Sequence, residues 1–186
     1  MFGIVFAIAL SAIKGPFDDL EKNVALKPYQ AAASRQLMDP PKGASVLLDK
    51  KFVLKSGDSD VKFVEVFAFQ FGDPHSIKSA ILDSQKMVQA ATVKVKMPEF
   101  ANSGFDISYM GNPTIVKADS IVGHVWVELR ATRKQVPWNP KHTNDLNAEA
   151  AKNIRADSGL MKLVKSILPD LRDRAKKADK PNRYQR

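Results

Sequence analysis

The run Val61–Phe71 (VKFVEVFAFQF) constrains this chain more than any other segment, because it is apolar on both of its alternating faces. In an extended strand Val61, Phe63, Phe67, Phe69 and Phe71 fall on one side, and Val64, Val66 and Ala68 on the other. A strand with one wet face would alternate apolar with polar, so this pattern predicts a strand buried on both sides, near the centre of a sheet. The run Val46–Leu54 precedes it, and Lys55–Asp60 (KSGDSD) between them has turn chemistry, so 45–71 reads as a β-hairpin. Glu65 shares the phenylalanine face and reads as a paired or partly exposed carboxylate rather than a catalytic one.

A helix is predicted next, over Pro74–Ala91. Asp73 suits the N-cap, and Pro74 the first helical position, where its missing N–H costs nothing. Ile77, Ala80, Ile81, Ser84, Val88 and Ala91 form its stripe. Thr92–Met97 then changes to period two, with Val93, Val95 and Met97 inward and Lys94 and Lys96 outward. Phe105–Met110, Thr114–Ala118 and Ile121–Arg130 read as further short strands. The turns between them are placed at Asn102–Gly104, Gly111–Pro113 and Asp119–Ser120. Such short spacings favour antiparallel neighbours. Val136–His142 (VPWNPKH) is a loop, after which Thr143 or Asn144 caps a helix running to about Ala156. Ser158-Gly159 interrupts it. Leu160, Leu163, Val164, Ile167, Leu168 and Leu171 make a second stripe across Pro169, which predicts a kink or restart. From Arg172 onward the stripe ends and fraying is expected.

The expected fold is α+β: an antiparallel sheet or small sandwich of about six strands, with one inserted helix and a helical C-terminal segment. Three segments follow, an apolar arm and connector over 1–43, a strand-rich core over 44–142 and a basic helical end over 143–186. Within the connector, Tyr29–Gln36 is alanine-rich enough to predict helix, and Met38–Gly43 breaks it. Met1–Ile13 carries no charge and is shorter than the roughly 20 apolar residues that cross a bilayer. It either docks on the protein's own core or serves as a partner-facing or membrane-surface arm through Phe2, Ile4, Phe6, Leu10 and Ile13.

Charge divides the chain unevenly. Residues 1–129 hold 14 basic and 14 acidic side chains, so the whole net charge of +9 lies beyond them. Residues 152–186 alone hold eleven basic and four acidic groups. That asymmetry predicts a polyanion-facing end. Its contacts are expected from Arg130, Arg133, Lys134 and Lys141 around Trp138, where cation and stacking surface coincide in one loop. Lys162, Lys165, Arg172, Arg174, Lys176, Lys177, Lys180, Arg183 and Arg186 would add sequence-tolerant phosphate contacts. The competing expectation is a solvated helix face, and an anionic membrane surface is a third.

With no cysteine, the chain has no thiol nucleophile, disulfide or cysteine-held zinc or iron–sulfur cluster. Glycine-rich phosphate loops, GxSxG and HExxH are absent from the sequence. His75, His124 and His142 lie apart, and His124 reads as a packed strand histidine between Val122 and Trp126. Asp106, Asp119 and Glu128 sit on or beside neighbouring strands and read as solvated carboxylates before they read as a divalent-cation site. No cofactor is expected. The expectation is a non-enzymatic, self-associating structural protein that binds RNA or another polyanion, such as a small viral coat, matrix or movement protein, cytoplasmic or virion-associated. The alternative is a peripheral membrane protein using the apolar arm and the basic end.

Overall fold

A computed structural model describes residues 15–33, 37–55, 59–87, 92–110, 114–134 and 146–179. Its strands are β1 (Tyr29–Ala31), β2 (Ala44–Leu54), β3 (Val61–Phe71), β4 (Thr92–Val95), β5 (Asp106–Met110), β6 (Ile115–Val122) and β7 (Val125–Arg133). Helices are α1 (His75–Met87), α2 (Leu146–Arg155) and α3 (Ser158–Ala178). All seven strands pair antiparallel in one sheet, ordered β1-β2-β3-β7-β6-β5-β4. The fold is α+β, as the sequence predicts. β3 lies between β2 and β7 with both faces covered, which is why it carries no alternation of polarity.

Each face of the sheet has its own core. On one side the α3 stripe of Leu160, Leu163, Val164, Ile167, Leu168 and Leu171 is buried against Val64, Val66, Ala68, Val127, Leu129 and Ala131. Each fully buried aliphatic side chain there contributes roughly 1.5–3 kcal/mol. Phe17, Leu20 and Leu26 from the connector join the same core, as do Ala150 and Ile154 of α2, so all three sequence segments share it. On the other side α1 lays Ile77 over Phe67, Phe69, Phe71 and Trp126. The Phe67 and Phe69 rings stack 6.4 Å apart, and Phe69 meets Trp126 at 5.6 Å. Asp73 starts α1 as predicted, accepting the His75 N–H at 3.0 Å and the Ser76 hydroxyl at 3.2 Å. Val88 and Ala91, predicted on its stripe, lie outside the described residues.

Four local expectations change. Tyr29–Ala31 is a strand, not a helix, because pairing with Phe52–Leu54 offers its backbone partners that three residues of helix could not. The β6–β7 turn falls at Gly123–His124, so Asp119 and Ser120 lie within β6 and His124 is a turn residue. Gly123 has φ +55°, as the first central position of a two-residue hairpin turn requires. α3 runs through Pro169, which is exposed, so the carbonyl it leaves without a helical N–H partner can be hydrated. The helix also continues past Arg172 to Ala178, held by the buried Ala175 and by Asp179, whose carboxylate accepts the His124 N–H at 2.7 Å.

The β4 edge is blunted. Asn147 of α2 donates its side-chain amide to the Lys94 carbonyl at 2.8 Å and accepts from the Lys96 N–H at 3.4 Å, taking the place of a further strand.

Candidate functional site

The folded chain separates the predicted cationic residues into those spent inside and those left outside. Arg133 is 5% exposed; it donates Nε to Asp157 at 2.7 Å and Nη1 to the Asn153 carbonyl at 3.3 Å. Arg130 pairs with the fully buried Glu128 and lies over the Phe67 ring at 4.9 Å. Arg172 donates to the Ser103 carbonyl at 3.1 Å. Arg174 ties Asp170 on its own helix to Asp19 and the Pro16 carbonyl of the connector, at 3.0, 2.6 and 2.7 Å. The arginines therefore serve the fold, their planar forks suiting multiple fixed acceptors. Lys134 is exposed, 3.9 Å from Asp60, and Lys176 is paired with Asp173 at 2.9 Å. Trp138, Lys141, Lys180, Arg183 and Arg186 lie outside the described residues, as do Phe2, Ile4, Phe6, Leu10 and Ile13.

What remains outside is mostly lysine, gathered on the outer face of α2 and α3. Lys162 and Lys165 are exposed one turn apart, opposite the buried stripe. With Arg155, Ser158, Met161 and Ser166 they line a shallow depression at the α2–α3 junction. Arg155 grips Glu99 through two bonds, at 2.5 and 3.1 Å, and its guanidinium holds that carboxyl down at about 2. Lys152 and Lys177 are also exposed, and among the described residues none of Lys152, Lys162, Lys165 and Lys177 forms an ion pair. Reading the apolar stripe alone misses Lys152, Arg155, Ser158 and Ser166. Their signal was the complement of that stripe on the helical wheel.

A second polar arrangement lies on the sheet face that α1 covers only in part. Asp106, Asp119 and Glu128 are cross-strand partners on β5, β6 and β7, forming an acidic row. Two residues along each strand, Lys94, Ser108, Lys117 and Arg130 are also paired in register on β4 to β7, forming a basic row. Lys117 Nζ sits 2.9 Å from Glu128 and 3.7 Å from Asp119. Asp119 is pushed up to about 6, chiefly by burial, with Lys117 opposing and Glu128 and Asp106 adding to the rise. Among the described residues no group of three or more histidines and carboxylates is placed to hold a metal ion; Lys117 lies between Asp119 and Glu128, and Arg130 pairs with Glu128. No helix among the described residues is long and apolar enough to cross a membrane. Comparisons with protein-family models, with curated proteins and with solved structures matched nothing.

Proposed function

We propose that this chain is a non-enzymatic structural protein that binds RNA and associates with itself, in the manner of a small viral coat, matrix or movement protein. The observation that carries the reading is the sorting of cations just described. The arginines described above are held by the fold, while Lys162 and Lys165 stay solvated side by side on α3, with Lys152 of α2 and Lys177 farther along α3 also exposed. Ammonium groups free of internal partners can release counterions on meeting a phosphate chain. Ser158 and Ser166 beside them supply hydroxyls for the same phosphate oxygens. A charge-neutral sheet body adds no long-range repulsion between copies, which favours assembly.

Salt-titrated binding to a single-stranded RNA tests the interface. Lys162→Glu with Lys165→Glu is expected to weaken binding at least tenfold at low salt. The slope of log affinity against log salt should also fall by about 1.4, at roughly 0.7 per lost phosphate contact. Equal, salt-insensitive binding by wild type and variant removes the proposal. Solution mass at high and low salt, with RNA removed, tests self-association. Preferential binding to acidic-lipid vesicles over RNA would move the reading to a membrane surface.

A further inference from the structure

The groove between α1 and strands β4–β6 has a volume of about 860 Å³, within the range of small-ligand sites. Its polar floor is ordered. Asp106 and Asp119 belong to the acidic row, and Lys94 and Ser108 to the basic row two residues away. Above the acids the wall carries Leu82 of α1 and Ile121 of β6, which are 56% and 43% exposed, with Lys78 of α1 as its one cation among the described lining residues. Along the strands the order is therefore wall, acids, bases.

We propose that this groove binds a short peptide by its free amino terminus, with an apolar first residue against Leu82 and Ile121, its ammonium on Asp106 and Asp119, and its carboxylate toward Lys94. Lys94 lies two residues along and one strand across from Asp106, so their backbone positions are about 8 Å apart. The ammonium and carboxylate of an extended dipeptide are about 6 Å apart, and the length of the Lys94 side chain lets it close the difference. A free amino acid holds its charges too close together to reach both rows. A simple amine leaves the basic row unused, and a simple carboxylate leaves the acidic one. Asp119 has only a long ion pair, at 3.7 Å to Lys117, and Asp106 forms none among the described residues, so this pair of acids can take a further cation. Leu82 and Ile121 give the groove a reason to expose two large aliphatic side chains side by side.

Leucylglycine titrated into the full chain, followed calorimetrically and by amide shifts, is the test. N-acetyl-leucylglycine lacks the cation, leucylglycinamide the anion and glycylglycine the apolar part. The dipeptide is expected to bind in the millimolar range or tighter, and each control at least tenfold more weakly. Asp119→Asn should weaken leucylglycine at least tenfold, and Leu82→Ser severalfold, with circular dichroism unchanged. Leu82 is an exposed helix residue, so its variant tests the groove even where a change at Asp119 disturbs the sheet. Equal binding of all four compounds, or no shift at about 20 mM dipeptide, overturns the proposal.

Discussion

Asp157→Ala is expected to destabilise the protein by about 3–5 kcal/mol, because it strands the Arg133 guanidinium in the core. Both side chains of that ion pair are 4% exposed, and its 2.7 Å bond joins the last residue of β7 to the residue that precedes α3. Asp157 also caps α3, accepting the Leu160 N–H at 2.8 Å, which adds about 1 kcal/mol. For a chain of this size each kcal/mol lowers the midpoint by roughly 2–4 °C, so a fall of roughly 10 °C or more is expected by thermal denaturation. Asp157→Asn separates the two contributions, since it keeps a capping oxygen and removes the charge. Most of the loss should persist. Adding Arg133→Met to Asp157→Ala should recover part of it, because the second change removes the unpaired charge. Strict additivity of the two would show that the pair carries no coupling.

The second large effect is a dependence on pH that one residue imposes. The folded protein holds the Asp119 proton up to about pH 6, whereas a solvated aspartate lets it go near 3.8. Folding therefore takes up a proton between those values. Stability from this group is full below about pH 4 and is lost as pH rises through 6. A shift of roughly two units corresponds to about 3 kcal/mol between the two limits. Asp119→Asn cannot ionise, so its stability relative to wild type should climb across pH 4–7 and level off above. Urea unfolding of both proteins at a series of pH values reads the difference directly. Carboxylates held low by partners, Glu99 above all, act in the opposite direction and at lower pH, and they cancel in the comparison. Parallel curves for the two proteins would refute the assignment.

What the sequence made legible was whatever is encoded by period or by a cap. The β2–β3 hairpin, the double-sided burial of β3, the Asp73 cap and the alternation at Val93–Met97 all follow from spacing within a few residues. β1 was not legible, because three residues carry no period and their strand state comes from β2. The turn at Gly123–His124 was hidden for a different reason. Asp119 and Ser120 have turn-like side chains, yet Asp119 pairs with both Asp106 and Glu128 and Ser120 bonds the Gly104 carbonyl. The polarity of Asp119 belongs to the charged sheet face, and that of Ser120, on the opposite face, to its bond with Gly104; neither marks a bend. Nor does sequence tell which cations are spent. Arg133 and Lys134 are neighbours with opposite fates, one inward on Asp157 and the other in solvent, and only the sheet's register decides that. The acidic and basic rows depend on the same register. Each residue of the rows was visible, and their alignment was not.

The bond from Arg174 to the Pro16 carbonyl spans 158 positions of the chain. In an otherwise unfolded polymer, bringing together ends that far apart costs about 4–5 kcal/mol in loop entropy. A single charge-assisted hydrogen bond returns about 1.5–3 kcal/mol, which is less than that cost. Only when the sheet and α3 have already brought the two segments side by side does the contact become favourable. It belongs to the end of assembly. Arg174 fastens a finished architecture and cannot help to start one.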